Sequence, residues 1–263
     1  MIPQNELKIA ANRNGVPLTT IERDYVQGWI LQFLPQALFL LKGGTAIRKA
    51  YIPEYRYSDD MDFTVTAHTD AEGIRRVLVD AIARAGDASG IRFSDEIRLQ
   101  DGENGFVGAI HFRLHRAKGS PVRIKLDMTK AENEPVALPV KSMPLNHPYS
   151  DARGFRLSVY SPEEIFSEKV RSLFQRTRPR DLYDVDCLAG KIETKGLGDL
   201  AREKCRIKGV SIDLGDLEQR KADFEMAWRA SLEHQIAPLP DFRTIFERVM
   251  GIIRMYEGDG GSA

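Results

Sequence analysis

The sequence lacks the features that mark several common protein classes. Its 263 residues include only two cysteines, Cys187 and Cys205, and neither belongs to a C-x-x-C pattern. This count argues against a disulfide framework and against a cysteine-based zinc site, and it suits a reducing compartment. Neither a G-x-x-x-x-G-K-[ST] motif nor a G-x-G-x-x-G motif is present, which argues against a P-loop ATPase and against a Rossmann enzyme.

The chain also lacks an excess of charge of either sign and any long apolar run. It has 38 Lys and Arg residues against 38 Asp and Glu residues, so contact with a nucleic acid would need a local basic patch. The longest mostly apolar run, residues 29–41, is interrupted by Gln32, Pro35 and Gln36 and is too short to span a bilayer. Because the N-terminal residues are polar and do not resemble a secretory signal, we expect a cytoplasmic protein without membrane contact.

The most informative stretch runs from Leu38 to Val65 and begins with a glycine turn. An apolar run at residues 38–41 has the form of a short buried strand, and it stops at Gly43-Gly44-Thr45. Glycine tolerates a positive φ and has no side chain in the way, so such a turn can bring backbone N–H groups close to a phosphate.

A pair of aspartates follows the turn in a second predicted strand, residues 57–66. Asp60 and Asp62 are spaced i, i+2 and project from the same face, whereas Asp59 projects from the other. Two such carboxylates can hold a divalent cation. A third carboxylate, Asp127, lies on the polar face of a predicted strand at residues 122–128 and could join them. An ordinary exposed position is an equally good interpretation of Asp127.

Hydrophobic periodicity predicts an α/β first part and a helical second part. We expect a mixed sheet with flanking helices over residues 1–160, a helical lobe over residues 161–257 and a disordered tail at 258–263. In the first part the pattern predicts a helix at 18–34 with Glu22 and Asp24 in its first turn, a helix at 46–51, a helix at 70–85, a loop at 131–154 and strands at 91–99, 106–115 and 155–160. In the second part it predicts helices after residue 161 and at 180–188, 197–206, 214–229 and 240–256.

The helical part opens with a capping box, Ser161-Pro162-Glu163-Glu164, which predicts a helix start. Lys169 lies at the edge of this helix's apolar stripe, which is formed by Phe166, Val170, Leu173 and Phe174. A lysine in this place either extends its ammonium group to water or faces a cleft, where it suits a phosphate.

A second charged motif, Arg180-Asp181-Leu182-Tyr183-Asp184, follows in the next predicted helix. Its two aspartates are spaced i, i+3 and share a face. Asp181 could equally serve near the N-terminal cap of that helix. A run of arginines next to the motif is either a solvated face or a surface for an RNA backbone, and it comprises Arg171, Arg176, Arg178 and Arg180.

Four segments together resemble the AbiEii-type nucleotidyltransferase toxins, a family that includes the MenT toxins and belongs to the DNA polymerase β-like nucleotidyltransferase superfamily. The segments occur in the family's order, and the likeness covers roughly residues 7–250. They are Lys42-Gly43-Gly44-Thr45, Arg56-Tyr57-Ser58-Asp59-Asp60-Met61-Asp62-Phe63, Glu164-Ile165-Phe166-Ser167-Glu168-Lys169 and Arg180-Asp181-Leu182-Tyr183-Asp184.

The resemblance implies a two-lobed nucleotidyltransferase fold that binds an NTP and Mg²⁺ (or Mn²⁺) between its lobes. The catalytic residues that it implies are Asp60, Asp62, Lys169 and Asp181. The implied nucleotide-binding residues are Lys42, Gly43, Gly44, Thr45, Ser58, Lys169 and Asp184. The implied metal ligands are Asp60 and Asp62, with Asp127 as a third ligand that is less standard in this family than in polymerases.

The resemblance also implies a function. The expected activity is transfer of a nucleotidyl group from an NTP to RNA, in particular to the 3′ end of tRNA, which stops translation and growth. The expected protein partner is a cognate antitoxin. Two alternatives stay open at this point: transfer to a small molecule, as in aminoglycoside nucleotidyltransferases, or to a protein hydroxyl, and a non-catalytic module that binds a nucleotide or a partner.

Overall fold

The computed structural model of the chain describes residues 1–115 and 119–258. Its contacts divide it into two compact units, of which the first is Met1–Tyr160 and the second begins at Ser161. No helix in these described ranges is long and apolar enough to cross a membrane. Of the tail expected to be disordered, Gly258 ends the last helix, and residues 259–263 lie outside the described residues.

The first unit consists of a mixed sheet with helices packed on it, which confirms the predicted fold class. Its helices are α1 (Gln4–Asn14), α2 (Leu18–Phe33), α3 (Gly43–Ala46), a π-helical turn (Ile47–Tyr51) and α4 (Ala71–Ser89). Its strands are β1 (Phe39–Lys42), β2 (Asp60–Val65), β3 (Arg92–Phe93), β4 (Leu99–Gly102), β5 (Gly105–Arg113), β6 (Val122–Lys130), β7 (Lys141–Pro144) and β8 (Arg156–Val159).

The strand that carries the aspartate pair lies in the interior of this sheet. The strand order is β3-β5-β6-β2-β1-β8-β7, and β4 pairs with β5 beside this path. β2 runs antiparallel to β1 and parallel to β6, and β6 runs antiparallel to β5. The glycine turn after β1 and the aspartates of β2 are therefore brought together by direct strand pairing.

The apolar side of β2 anchors it in the core, as the predicted alternation requires. Met61, Phe63 and Val65 are buried, whereas Asp60 and Asp62 on the opposite side are half-buried. Full burial of a side chain of this size contributes about 2 kcal/mol to stability relative to exposure. This packing fixes the side of the sheet from which the two carboxylates project.

The second unit is helical in its described part, as predicted. It contains α5 (Pro162–Gln175), α6 (Pro179–Ala189), α7 (Leu197–Ile207), α8 (Leu214–Gln219), α9 (Lys221–Leu232) and α10 (Phe242–Gly258). The Ser161 hydroxyl accepts a hydrogen bond of 3.2 Å from the Glu164 backbone N–H. That bond satisfies one of the free N–H groups of the first turn, which confirms the predicted helix start.

The structure differs from the predicted elements in four places. Of the strand expected at 91–99, only β3 forms, and β4 begins at its last residue, Leu99. The helix expected at 214–229 is the separate helices α8 and α9. The helix expected at 46–51 begins already at Gly43 and is π-helical from Ile47. The loop expected at 131–154 contains β7, an edge strand whose mostly exposed side chains leave no apolar alternation to detect.

Candidate functional site

The glycine turn and the aspartate strand meet at Gly43. Lys42, the last residue of β1, pairs with Asp62 of β2 across the sheet. Gly43 follows with φ +69°, a conformation that favours glycine. A Cβ atom built on Gly43 would overlap the Asp62 carboxylate, so the absence of a side chain here lets that carboxylate lie against the turn.

The next residue, Gly44, lies against the side chain of an arginine. A Cβ atom built on Gly44 would stand 2.8 Å from Nη2 of Arg56 and 3.4 Å from Oγ of Ser58. Arg56 is buried, and its Nη1 donates a hydrogen bond of 3.1 Å to the Tyr57 carbonyl. The turn therefore has a carboxylate against its first glycine and a guanidinium against its second. Arg56 is not among the predicted site residues, although it opens the segment at residues 56–63 that resembles a family motif.

Two hydroxyl groups fix the start of the aspartate strand. The hydroxyl groups of Thr45 and Ser58 both donate to the Asp60 carbonyl, Ser58 over 3.3 Å. The side-chain amide of Gln27 donates to the Ser58 carbonyl over 2.9 Å. Thr45 and Ser58 therefore hold the backbone that carries Asp60, and their predicted contact with a nucleotide stays a prediction.

Lys42 takes part in a buried ion pair. Its Nζ lies 3.2 Å from Oε2 of Glu134, and both side chains are almost fully buried. The same ammonium group lies 5.5 Å from the centre of the Tyr160 ring. A direct contact of Lys42 with a nucleotide, as predicted, would have to compete with this pair.

The neighbouring aspartates differ in the face from which they project, as the alternation along the strand predicts. Asp59 pairs with Arg23, with Nη1 2.8 Å from Oδ1. Asp127 of β6 lies directly opposite Asp62 of β2 in the register of these parallel strands, so both side chains project from the same face. The Asp127 side chain is 45% exposed and lies 3.5 Å from the Lys125 ammonium group.

The donor set fits a hard divalent cation. Within residues 1–115 and 119–258, no three or more His, Cys, Asp or Glu side chains lie close enough together to form a metal site. Mg²⁺ usually takes one or two protein carboxylates and fills its remaining positions with substrate phosphates and water. Asp60 and Asp62 supply such a pair of carboxylates, and participation of Asp127 stays a prediction.

A buried ion cluster supports the loop in front of Arg56. Asp24 was expected in the first turn of its helix, but no acidic residue lies in that turn, because the helix begins at Leu18 and Asp24 lies further along it in the core. The Asp24 carboxylate contacts Arg48 Nε at 2.8 Å, Lys49 Nζ at 2.9 Å and the Tyr149 hydroxyl at 2.8 Å.

The ion cluster around Asp24 lowers the pKa of its carboxyl group and supports the backbone that Arg48 contacts. Burial opposes ionisation of Asp24, but attraction by the Lys49 and Arg48 charges outweighs it and holds the pKa of that carboxyl below its usual range. Arg48 in turn donates to the carbonyl groups of Pro53 and Tyr55. Asp24 thus fixes the segment that carries Arg56, a role that sequence periodicity does not reveal.

The two charged motifs of the second unit meet at Lys169. Its Nζ lies 2.7 Å from Oδ1 of Asp181 and 2.7 Å from Oδ2 of Asp184, which confirms that the two aspartates share a face. The Lys169 side chain is only 12% exposed, so its ammonium group does not extend into water. The carboxylate of Asp181 also contacts Arg176 Nε at 3.0 Å.

The contacts of Asp181 identify its ion-pairing partners, and its predicted catalytic role stays a prediction. Burial opposes its ionisation, but the charges of Lys169 and Arg176 hold the pKa of its carboxyl below the usual range. Asp181 lies in the first turn of α6, as expected, but its carboxylate makes ion pairs and does not cap that end, where the N-cap is Arg178. In the neighbouring arginine run, Arg171 is buried and Arg176 is paired with Asp181, whereas Arg178 is exposed and Arg180 is half-buried, so an RNA surface there stays a prediction.

Comparison with known proteins gives a family and related folds. The family model described as nucleotidyl transferase AbiEii toxin, Type IV TA system, matches residues 28–248. MenT4, the nucleotidyltransferase toxin Rv2826c of Mycobacterium tuberculosis H37Rv, is 16% identical, with 98% of this chain and 90% of that chain covered and a TM-score of 0.69. JHP933 of Helicobacter pylori is 17% identical, with 93% of this chain and 94% of that chain covered and a TM-score of 0.59.

These solved structures share the fold with this chain, and the family match covers most of its length. Among curated proteins, none matches the sequence at a significant level. The resemblance that the four motifs predicted is thereby confirmed. The chain belongs to the AbiEii family of toxin–antitoxin nucleotidyltransferases and is a nucleotidyltransferase.

Proposed function

We propose that this nucleotidyltransferase transfers a nucleotidyl group from an NTP to RNA, with the 3′ end of tRNA as acceptor, and so stops translation and growth. The observation that carries the proposal is the glycine turn itself. Gly43 lies against the Asp62 carboxylate, and Gly44 lies against the Arg56 guanidinium. A metal-binding acid and a phosphate-binding cation thus flank one short segment of backbone.

Each group has a defined task in this reaction. The N–H groups of the turn and the Arg56 guanidinium bind the phosphates of the NTP, because both present donors to anionic oxygens. Asp60 and Asp62 would hold a divalent cation, which would neutralise part of the phosphate charge. The acceptor hydroxyl oxygen bonds to the α-phosphorus while the bond from that phosphorus to the leaving pyrophosphate breaks, and the hydroxyl proton leaves to water.

In the second unit, the side chain of Lys169 is held in place by its neighbours. Lys169 contacts two carboxylates at 2.7 Å, so its side chain is held in one conformation before any substrate binds. A fixed ammonium group loses little conformational entropy when it meets a developing negative charge. Its proposed contact with the nucleotide rests on the family resemblance, as do the proposed roles of Asp181 and Asp184.

The transfer reaction tests the proposal directly. Purified protein is incubated with each of the four α-labelled NTPs, Mg²⁺ or Mn²⁺ and total tRNA, and the label in RNA is measured. We expect transfer by the unaltered chain and loss of transfer by the Asp60→Asn/Asp62→Asn variant. Absence of label with every NTP, or full transfer by this variant, would contradict the proposal.

A matched control separates chemistry from a general loss of acidic charge. Asp80 and Asp87 are exposed on α4, and Asp80→Asn/Asp87→Asn makes the same change in charge. Transfer by this control variant should be unchanged, because neither residue lies on the face of the sheet that carries Asp60.

The identity of the acceptor is decided by where the label appears. Periodate-oxidised tRNA has no intact 3′-terminal diol, and we expect it to accept no label. Parallel reactions with aminoglycosides and with protein acceptors test the other two acceptor classes. Label in either of these instead of RNA would retain the chemistry and replace the acceptor. Growth arrest on expression of the Asp60→Asn/Asp62→Asn variant would instead support a non-catalytic binding module.

A further inference from the structure

One face of the sheet beside Asp60 carries a row of basic side chains. The strand register places Lys125 of β6 opposite Asp60 of β2. It also places Arg123 of β6 opposite His111 of β5, and Arg113 of β5 opposite Arg92 of β3. We call these five residues the basic stripe: Lys125, Arg123, His111, Arg113 and Arg92.

Strand geometry puts the whole basic stripe on the same side as Asp60. Residues directly opposite each other on paired strands project from the same face, and so do residues spaced i, i+2 within a strand. Lys125 and Arg123 are so spaced in β6, and His111 and Arg113 are so spaced in β5. The stripe therefore starts at Asp60 and runs diagonally to the sheet edge at β3.

The basic stripe is accessible from solvent. Arg92 and Arg123 are exposed, and the other three side chains are half-buried. Arg92 donates to the Leu114 carbonyl over 3.1 Å, and Arg113 donates to the Gly119 carbonyl. Both acceptors are backbone carbonyl oxygens, and they orient the two guanidinium groups. The ion pair of Lys125 with Asp127, at 3.5 Å, lies at the end of the stripe next to the aspartates.

The concentration of positive charge is local. The chain as a whole has a formal charge of zero, so no general field attracts a polyanion to it. Two i, i+2 steps along the strands, about 13 Å, and three strand spacings, about 14 Å, separate Asp60 from Arg92. The diagonal is about 20 Å, long enough for several phosphates of an extended strand.

We propose that the basic stripe binds the phosphate backbone of the RNA acceptor and leads the end of that strand to Asp60 and Asp62. This inference rests on the proposed function, because it names the path that the acceptor follows. RNA is favoured over a peptide because the stripe presents guanidinium and ammonium groups in series, which suit a repeating anion.

Equilibrium binding of labelled tRNA and of a single-stranded RNA oligonucleotide, measured without NTP over a range of salt concentrations, tests the stripe. The test variant is Arg92→Gln/Arg113→Gln/Arg123→Gln. We expect its affinity for RNA to fall about tenfold or more and the slope of log affinity against log salt to decrease by about 2. In the transfer reaction the KM for RNA should rise by a similar factor, with a much smaller change in kcat.

Two further variants keep the outcome interpretable. Arg75→Gln/Arg76→Gln/Arg84→Gln removes the same charge from the exposed surface of α4 and should leave the affinity for RNA unchanged. Arg92→Lys/Arg113→Lys/Arg123→Lys keeps the charge and should retain most of the affinity and the salt slope, even if the glutamine variant folds poorly.

The outcomes for the stripe and for the reaction are distinct. Failure of the unaltered chain to bind either RNA, equal affinity in the stripe variant, or an equal loss in the α4 variant would overturn the stripe. Binding that depends on the stripe, without transfer of label to any RNA, would support the stripe and overturn the proposed reaction.

Discussion

The acidic pairs of the two units have different surroundings. In the second unit, Asp181 and Asp184 are buried and contact Lys169 at 2.7 Å each. In the first unit, Asp60 and Asp62 are half-buried on the polar face of a strand, and the Asp62 carboxylate lies against the glycine turn. The first pair is the more exposed of the two, whereas the second pair is enclosed together with the Lys169 cation.

From this difference we predict which acidic pair matters more for stability and which matters more for activity. Together Lys169, Arg176, Asp181 and Asp184 sum to zero charge, so the cluster is neutral without any ligand. Its stability contribution should therefore be large, and loss of one member should unfold or loosen its own helices. Asp60 and Asp62 should show the reverse pattern, with a large effect on activity and a small effect on stability.

Removal of the carboxylates of the first pair should have the largest effect. We expect Asp60→Asn/Asp62→Asn to lower kcat/KM for nucleotidyl transfer by about a thousandfold or more, because the divalent cation would lose its ligands. The melting temperature should change little, since two half-buried carboxylates are replaced by amides of the same shape. Label transfer and thermal unfolding are measured on the same preparations. A collapse of the melting temperature would make this pair structural instead.

Removal of the cation from the second pair should cost stability. Lys169→Met leaves two buried carboxylates with fewer partners, and loss of one member of a buried ion cluster typically costs about 3 kcal/mol. Amide hydrogen exchange, followed separately in peptides of the two units, should show faster exchange in α5 and α6. Unchanged exchange there would show that the cluster does not stabilise its helices.

The pH dependence sharpens this second prediction. The pKa of Asp181 is lowered in the folded chain, so its ionised form adds stability above the unfolded pKa and that stability is lost as the pH falls through the folded value. The difference in stability between Lys169→Met and the unaltered chain should therefore be full at pH 7 and shrink below pH 4. A difference that stays constant with pH would mean that lost packing, and not charge, explains the cost.

The sequence sufficed for features whose cause is local. The alternation of Met61, Phe63 and Val65 with the aspartates placed both carboxylates on the correct face, and the i, i+3 spacing of Asp181 and Asp184 placed both on one face of α6. In each case one strand or one helix determines the geometry, so periodicity alone is enough.

Other features depend on contacts between residues distant in the chain, and periodicity could not show them. The partner of Lys42 is Glu134, 92 residues away, and Asp24 meets Tyr149 across 125 residues. The basic stripe exists only because β3, β5, β6 and β2 align in one register. The alternating pattern of each strand shows which residues share a face, but it does not show which strands are neighbours.

Mild acid should destabilise the first unit more than the second, because the first unit contains the buried His147. Burial, and then repulsion by Lys49, lower the pKa of this histidine from 6.5 to about 4 in the folded first unit. Between these values the unfolded chain binds more protons than the folded chain, so stability falls as the pH falls. We expect the first unit to lose about 2 kcal/mol between pH 7 and pH 4.5 through this residue.

The measurement compares hydrogen exchange of the two units at pH 7 and pH 4.5, corrected for the intrinsic exchange rate. Exchange should accelerate in the first unit, while the ion cluster at Lys169 keeps the second unit protected until the pH is lower. In His147→Gln the pH-dependent part of the loss should disappear from the first unit. An equal pH dependence in this variant would assign the loss to other groups.

The smallest expected effect on stability concerns two glycines with the same backbone conformation. Gly43 has φ +69° and Gly90 has φ +78°, so an alanine at either position should cost about 1 kcal/mol through backbone strain. Their surroundings differ, because a Cβ on Gly43 would overlap the Asp62 carboxylate, whereas a Cβ on Gly90 would have only Met1 nearby, at 3.8 Å. Gly43→Ala should therefore displace that carboxylate and reduce nucleotidyl transfer at least tenfold, by about 1.4 kcal/mol in the activation free energy. Gly90→Ala should melt at a similarly lowered temperature and transfer label at the normal rate, and equal activity of the two variants would show that the position of Asp62 does not matter for the reaction.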